Sequence, residues 1–341
     1  MKVLAVADPF IPPEPMRKGL SGLAAQGVSV EVREWPLPDV ETLQKLNLAI
    51  EQGGPEAVPP QDELLAGAED ADILVVQFFP VSRAVLDRLP NLKLLCVLRG
   101  GVENLDVAAA RARGIVILNT PGRNARAVAE YTVGLMLAET RNIARCHAAL
   151  KQGVWLKDFP NGDHIPELSG RTVGFVGFGN VGRLVAKLLQ GFDCDYLVYD
   201  PFVTALPERA RRASLDEVMA GSDVVSIHAR LVPETHHLVG AAQIALMKPT
   251  AIIVNTARSG LLDQDALVRA LAERRIAGAA LDVFDREPIP ADDPIMALDN
   301  LTMVPHVAGS TRDAFWGSPR LCAGHIAAWL AHETEGLPRV E

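Results

Sequence analysis

The segment Gly177-Phe178-Gly179-Asn180-Val181-Gly182 follows directly on the apolar run 172–176 and opens a helical pattern over residues 183–190. A strand, a Gly-x-Gly-x-x-Gly turn and a helix in this order are typical of a dinucleotide-binding βαβ unit. The first glycine permits a tight turn, the second lets a pyrophosphate approach the backbone, and the third allows the helix to pack closely on the strand. The predicted cofactor contacts of this segment are Gly177, Gly179, Gly182 and the backbone N–H groups of Asn180 and Val181.

A carboxylate, Asp200, ends the next apolar run, residues 196–199. It lies about 18 residues beyond Gly182, near the spacing at which an acidic side chain binds the adenine ribose hydroxyls. An anion there repels a 2′-phosphate, and none of the three residues that follow is an arginine. The pattern therefore favours NAD over NADP as cofactor. The alternative is that Asp200 only caps a loop.

Short apolar runs alternate with amphipathic stretches along the whole chain, which predicts parallel sheets covered by helices. The runs of the first series are residues 3–7, 28–32, 73–77, 92–98 and 115–118. Those of the second are residues 172–176, 196–199, 224–228, 251–255, 279–283 and 301–304. We expect one long helix over residues 125–144, a surface excursion over the Pro-rich residues 36–60, and a final helix over residues 310–332.

The predicted fold class is α/β with two Rossmann-like domains. Residues 1–118 together with 306–341 are expected to form a flavodoxin-like substrate domain. Residues 119–305 are expected to form an inserted, doubly wound NAD-binding domain. A length of 341 residues suits two domains.

Composition narrows the class of partner. The chain has 33 basic and 42 acidic side chains, a net charge of -9, which disfavours nucleic acid as a partner. No run approaches the roughly 20 apolar residues of a membrane span. The four cysteines are scattered and the remaining histidines lack acidic or cysteine neighbours at ligand spacing, so we expect no metal. A cytoplasmic protein acting on a small molecule is the expectation.

Three groups downstream of the glycine segment suit carbonyl reduction, each close behind a predicted strand. They are Arg258, the pair Asp282 and Glu287, and His306. An arginine can grip a substrate carboxylate through two parallel N–H bonds. A histidine can give a proton and take it back near neutral pH, and a neighbouring carboxylate favours its charged form. Each group alone could equally be a loop ion pair, a solvated carboxylate or a strand-end histidine.

Over nearly its whole length the chain resembles the D-isomer-specific 2-hydroxyacid dehydrogenases, of the phosphoglycerate dehydrogenase and hydroxypyruvate reductase kind. The stretches that carry the resemblance are residues 101–106 (Gly-Val-Glu-Asn-Leu-Asp), 125–130, 177–182 with 199–201, 228–235, 255–263, 281–288 and 305–311. The resemblance implies a hydride transfer between NAD(H) and C2 of a D-2-hydroxy acid or 2-oxo acid. It also implies a homodimer joined through the NAD-binding domains, with the helix near residues 125–144 contributing.

The resemblance assigns roles to individual residues. Arg258 binds the substrate carboxylate, Glu287 partners the histidine, and His306 is the general acid and base. Further implied contacts to the cofactor come from His228, Thr256, Ala257, Arg258, Asp282, His306 and Gly309. Backbone N–H groups of Gly101 and Val102, with Arg258 and His306, contact the substrate acid.

Departures from the family pattern concern the substrate. Arg99 stands where the family often has glycine and is included among the expected substrate-binding residues. Together with Arg123, Arg126 and Arg230 it makes an acidic or phosphorylated substrate tail an open alternative to solvated surface arginines. Because the chain ends soon after its last predicted helix, we expect no added regulatory domain.

Two other functions stay open at this level. One is a non-catalytic, NAD-sensing corepressor-like regulator of the same fold, since fold alone does not define activity. The other is formate dehydrogenase, which shares the architecture; Glu287 as the partner of the histidine favours 2-hydroxy acids instead.

Overall fold

The computed structural model describes residues 1–164 and 166–340. The chain divides into two compact units, Met1–Asn124 with the segment from Thr311 onward, and Ala125–Ser310. The strands are β1 (Lys2–Ala7), β2 (Ser29–Glu34), β3 (Ile73–Val76), β4 (Leu94–Val97), β5 (Val116–Asn119), β6 (Thr172–Val176), β7 (Asp195–Tyr199), β8 (Ala210–Arg212), β9 (Val224–Ile227), β10 (Ile252–Asn255), β11 (Gly278–Leu281) and β12 (Leu301–Met303). The α-helices are α1 (Pro13–Leu20), α2 (Val40–Gly53), α3 (Asp62–Leu65), α4 (Arg83–Asp87), α5 (Val107–Ala112), α6 (Ala125–Thr140), α7 (Ile143–Lys151), α8 (Asn180–Leu188), α9 (Leu215–Gly221), α10 (Ala241–Leu246), α11 (Gln264–Ala272) and α12 (Arg312–Leu330).

The first unit is built on a parallel sheet with strand order β2-β1-β3-β4-β5. Alternate residues of β1 point to opposite faces: Leu4 and Val6 pack with the cluster that includes α2 to α5, whereas Val3 and Ala5 pack with α1 and α12. Both faces are therefore covered, as a parallel sheet requires. The order is that of a flavodoxin-like domain, with its winding reversed between β1 and β3.

The second unit holds a seven-stranded parallel sheet, ordered β12-β11-β10-β9-β6-β7-β8. In β6, Phe175 packs on the side of α6 and α8, and Val176 on the side of α9 to α11. The winding reverses between β6 and β9, which is where ligands bind in doubly wound sheets, outside the carboxyl ends of the strands. The two sheets confirm the predicted α/β fold class.

The prediction of one helix over residues 125–144 was wrong at its C-terminal end. Helix α6 ends at Thr140, and a separate helix, α7, begins at Ile143. Between them the buried Asn142 takes a left-handed conformation with φ of 56°, and its side-chain amide donates to the Asn161 side-chain oxygen at 2.7 Å. Asparagine tolerates that conformation better than most residues, so the chain turns there without glycine.

The prediction of a surface excursion over residues 36–60 was also wrong in part. This region contains α2, which is capped by Asp39 and buries Leu43 and Ile50 in the core of the first unit. The two apolar residues lie seven positions apart, so they share one helix face. The prolines at both ends of the region are typical of a loop, so composition alone did not reveal the helical spacing of Leu43 and Ile50.

The final helix is slightly shorter than predicted. Thr311 caps α12, because its hydroxyl accepts the N–H of Ala314 at 3.1 Å. Phe315 and Ile326 on this helix are buried in the first unit. None of the helices in the described parts of the chain is long and apolar enough to cross a bilayer.

Candidate active site

The glycine loop after β6 contains two glycines that the packing requires. Gly177 has φ of 92°, and a Cβ there would lie 2.4 Å from the backbone nitrogen of Ala229. A Cβ on Gly182 would lie 2.8 Å from the carbonyl oxygen of Gly177. A Cβ on Gly179, by contrast, would meet nothing within 4 Å. The loop therefore has no room for a side chain at Gly177 or Gly182, but it has open space at Gly179.

Helix α8 begins at the open glycine. Gly179 is its N-cap, so no side chain satisfies the first N–H groups of the helix. Free N–H groups and the positive end of the helix dipole at Asn180 and Val181 form a site that suits phosphate. The open space and the free donors together fit a dinucleotide pyrophosphate.

Asp200 follows β7 and is bonded to the glycine loop. Its Oδ2 accepts the N–H of Phe178 at 2.7 Å, and its Oδ1 accepts the N–H of Phe202 at 2.8 Å. Each carboxylate oxygen keeps one further lone pair for a ligand hydroxyl. Asp200 thus caps the loop, which was the alternative left open from sequence, and retains acceptors for a ribose.

His228 follows β9 and lies beside the first glycine. Its Nε2 is 2.8 Å from the Ser226 hydroxyl. Burial lowers the pKa of His228 to about 3, because the imidazolium would lose its hydration. The ring is therefore neutral at physiological pH.

The loop after β10 is shaped by a residue that the sequence argument did not single out. Asn255 is buried; its side-chain oxygen accepts the N–H of Ala257 at 3.0 Å and its amide donates to the carbonyl of Arg258 at 3.0 Å. These two bonds fix the direction in which the loop leaves the strand. An amide ending an apolar run was the only signal available in the sequence.

Arg258 projects from this loop. Arg258 is exposed, and its Nη1 donates to the carbonyl of Ala257 at 2.7 Å. No ion pair to it occurs among the residues that the structure describes. Most donors of the guanidinium are thus available to a ligand.

Thr256 in the same loop is anchored to α6. Its hydroxyl lies 2.8 Å from that of Thr132, which itself donates to the carbonyl of Val128 at 2.7 Å. Thr256 is therefore the donor of the pair, and its oxygen keeps a lone pair. Thr132 was a second residue missed from sequence, since a threonine inside an apolar helix carries no motif.

Asp282 follows β11 and organises the loop that carries His306. Its Oδ1 accepts the N–H of Val307 at 2.7 Å and its Oδ2 that of Ala308 at 3.1 Å. The carboxylate is 1% exposed, and burial raises its pKa against the opposing effect of these N–H donors. A buried carboxylate thus fixes the backbone next to His306.

His306 and Glu287 are in direct contact. His306 Nδ1 lies 2.8 Å from Glu287 Oε2, and Glu287 Oε1 accepts the N–H of Phe284 at 2.9 Å. Nδ1 is therefore the protonated nitrogen facing the carboxylate, which leaves Nε2 for a ligand. His306 has φ of 53°, a conformation rare outside glycine and concentrated at functional sites.

The order of the strands places these groups along one edge. β10, β11 and β12 are parallel neighbours, so the loops bearing Arg258, Asp282 and His306 leave the same edge of the sheet. The glycine loop, Asp200 and His228 leave that edge from β6, β7 and β9. One direct hydrogen bond joins His306 to Glu287. Arg258 has in common with them only its position at the same edge of the sheet. Gly309 ends the same loop as His306.

The first unit holds the other residues expected from sequence. The Arg99 guanidinium bonds to Glu51 Oε1 at 3.2 Å and Glu103 Oε2 at 3.0 Å. The Glu103 carboxylate lies over Gly101, where a Cβ would come within 2.3 Å of it. Arg99 is therefore paired within its own unit. Gly101 and Val102 follow it at the carboxyl end of β4.

One family model and several known proteins are similar to this chain. Residues 133–308 match the family model for the D-isomer specific 2-hydroxyacid dehydrogenase, NAD binding domain. A glyoxylate reductase of Thermofilum pendens is 38% identical over 305 residues, covering 87% of this chain and 90% of the relative. A D-3-phosphoglycerate dehydrogenase of Methanocaldococcus jannaschii is 41% identical over 278 residues, covering 80% of this chain but 52% of the relative. The structure of TP0037 from Treponema pallidum, a D-lactate dehydrogenase, aligns over 100% of both chains with a TM-score of 0.78 at 25% identity.

The family match and the relatives, together with the dinucleotide loop, place the chain among the NAD-dependent oxidoreductases that act on hydroxy acids. The chain belongs to the D-isomer specific 2-hydroxyacid dehydrogenase family.

Proposed function

We propose that the chain transfers a hydride between NAD(H) and C2 of a D-2-hydroxy acid or 2-oxo acid, with His306 as general acid and base. The observation that carries this proposal is the 2.8 Å contact between His306 Nδ1 and Glu287 Oε2 at the edge of the NAD-binding sheet. It orients the imidazole and leaves Nε2 free. NAD supplies the hydride acceptor or donor when it is bound.

The side chains perform the proton and charge chemistry. In the reductive direction His306 Nε2 gives a proton to the carbonyl oxygen as C2 becomes tetrahedral, and in the oxidative direction it takes that proton back. Glu287 stabilises the imidazolium that precedes the transfer. Arg258 binds the substrate carboxylate through two parallel N–H bonds and so holds C2 in place.

The cofactor is assigned to the second unit. The Asp200 carboxylate accepts hydrogen bonds from the ribose hydroxyls, and the N–H groups at the start of α8 bind the pyrophosphate. We assign the remaining cofactor contacts to His228, Thr256, Ala257, Asp282 and Gly309. The N–H groups of Gly101 and Val102 bind the substrate acid.

Two glycine variants are expected to separate folding from cofactor binding. Gly179→Ala should leave the melting temperature of the free protein within about one degree, since its Cβ enters open space. It should weaken NADH binding by roughly 10-fold or more, because the methyl group occupies the path of the pyrophosphate. Thermal unfolding and NADH fluorescence titration measure the two effects.

Gly177→Ala is the matched comparison. Its left-handed backbone alone costs about 1–3 kcal/mol for a residue with Cβ, and the methyl group also meets backbone. We expect this variant to melt at clearly lower temperature without any cofactor present. A Gly179→Ala protein that binds NADH as tightly as the wild type would contradict the assignment of the pyrophosphate.

The direct test of activity is a substrate panel with NADH, covering glyoxylate, pyruvate, hydroxypyruvate and phosphorylated 2-oxo acids. Glyoxylate and phosphorylated acids are included because relatives bear the names glyoxylate reductase and phosphoglycerate dehydrogenase. We expect NADH oxidation with at least one of them. NADH binding without turnover on any acid would support the regulator of the same fold instead.

We further propose that two chains pair through the surface of α7 and the segment after it. Helix α7 buries none of its residues, and Leu150, Val154 and Trp155 are exposed, Trp155 by 76%. Adjacent exposed apolar side chains of this size are typical of an interface. The second copy is the occupant that the family resemblance implies.

A charge in this surface is expected to separate the chains. Trp155→Glu should change the mass in light scattering from two chains to one, because burying an unpaired carboxylate in the interface is unfavourable. Leu48→Glu, at an exposed leucine on α2, is the control and should leave the mass unchanged. A wild-type protein with the mass of one chain at micromolar concentration would overturn the proposed dimer.

A further inference from the structure

Arg123, just beyond β5 in the first unit, carries a guanidinium that makes no ion pair with any residue that the structure describes. The residue is half-buried, and its Cζ lies 4.7 Å from the ring centroid of Phe315. Nη1 donates to the carbonyl of Ala314 at a long 3.5 Å. Within residues 1–164 and 166–340, no carboxylate oxygen approaches its nitrogens to ion-pair distance. Most of its five N–H donors are thus unused.

Among the described residues, no carboxylate at contact distance balances the charge of this group. Burial lowers the pKa of Arg123 to about 10, and the positive charge of Arg99 acts in the same direction. The guanidinium still remains protonated at neutral pH. Arg99 is paired with Glu51 and Glu103, so Arg123 is the arginine of the two whose partly desolvated charge an anion would stabilise.

Asp8, the carboxylate that acts electrostatically on Arg123, is already bonded to backbone N–H groups. Its Oδ1 accepts the N–H groups of Phe10 at 2.9 Å and Ile11 at 3.0 Å. The side chain is 2% exposed, and burial raises its pKa to about 6. Asp8 therefore attracts Arg123 only from beyond contact distance.

Backbone bonds hold Arg123 beside the loop that follows β4. The N–H of Thr120 donates to the carbonyl of Arg99 at 3.1 Å, and the N–H of Arg123 donates to the carbonyl of Thr120 at 3.4 Å. The side chain of Asn119 donates to the carbonyl of Gly100 at 2.7 Å. Arg123 consequently lies at the same sheet edge as Gly101, the proposed contact of the substrate acid.

From this arrangement we propose that Arg123 binds a second anionic group, a carboxylate or a phosphate monoester, at the far end of the 2-oxo acid substrate. The inference rests on the proposed function and names its substrate class. The ring of Phe10 stacks on that of Phe315 at 4.5 Å, and the Arg123 guanidinium lies over the Phe315 ring, so this aromatic pair holds the guanidinium in place. Arg123 is thus a specificity-determining residue.

Matched pairs of 2-oxo acids test this assignment. 2-Oxoglutarate is compared with its 5-amide, and phosphohydroxypyruvate with hydroxypyruvate, so that the two arms distinguish carboxylate from phosphate. We expect wild-type kcat/KM to favour the anionic member of one pair on the order of 100-fold, because a site built for a charged group rejects the neutral analogue. Arg123→Gln should abolish that preference, mainly through KM, and leave turnover of glyoxylate within about threefold.

Arg126→Gln is the matched control. Arg126 is exposed and already paired with Glu130, at 2.6 Å between Nε and Oε1, so its loss should leave the preference intact. Equal use of both members of each pair by a wild type that reduces glyoxylate would overturn the inference and leave the proposed function standing. Failure to reduce any 2-oxo acid would overturn both. The wild-type comparison needs no variant, so it decides the question even if Arg123→Gln does not fold.

Discussion

His306→Asn is expected to lower kcat by roughly 10²- to 10⁴-fold, the usual contribution of a positioned acid and base. Asparagine readily adopts the left-handed conformation that His306 occupies, with φ of 53°, so the loop should keep its course. Its amide cannot give a proton to the carbonyl oxygen. NADH affinity should stay within about threefold, because the N–H groups of Val307 and Ala308 still bind Asp282.

His332→Asn is the matched control. This histidine is also exposed and also has a positive φ, of 61°, but it follows α12 in the first unit. Its replacement should leave turnover unchanged. Steady-state kinetics of both variants with the best acid of the panel give the comparison. Wild-type turnover in His306→Asn would remove this residue from the chemistry.

Arg258→Gln is expected to lower kcat/KM by roughly 10²- to 10⁴-fold. Two charge-assisted hydrogen bonds to the substrate carboxylate contribute about 1.5–3 kcal/mol each, and the variant loses both. Little else should change, since the structure gives the guanidinium one bond, to the carbonyl of Ala257. The loss should appear in KM as well as in kcat, because the same group holds the substrate in the ground state.

Arg258→Lys and Arg269→Gln complete this comparison. The lysine variant keeps the charge but not the planar pair of donors, so it should recover only part of the activity. Arg269 is exposed on α11 and should be replaceable without effect. A lysine variant as active as the wild type would show that charge alone suffices, and an active Arg258→Gln would contradict the proposed role.

The sequence predicts a cofactor site at this sheet edge from local patterns, and the assignment of residues to the cofactor stays a prediction. The glycine loop and Asp200 each follow a strand that apolar residues mark clearly, and the parallel sheet brings such loops to one edge. The same logic applies to His306 and Glu287, which are distant in sequence but follow neighbouring strands. Their contact at 2.8 Å required the order of the strands, which no local pattern contains.

The features that the sequence did not predict depend on side-chain contacts that exist only in the folded chain. The break after Thr140 depends on Asn142, whose bond to Asn161 spans a loop. The clamp formed by Asn255 could not be recognised, because an amide at the end of a strand is equally compatible with a surface position. Arg123 carried no signal beyond its charge, since only the packing shows that none of the described residues forms an ion pair with it.

The most direct measurement follows the hydride itself. NADH deuterated at C4, with each face labelled in a separate preparation, is oxidised with the best 2-oxo acid other than glyoxylate, whose product has no D or L form. The hydroxy acid is analysed by mass spectrometry and chiral chromatography. The account predicts that one of the two preparations yields a D-2-hydroxy acid with a single deuterium at C2. A product without deuterium from either preparation, or of the L configuration, would contradict it.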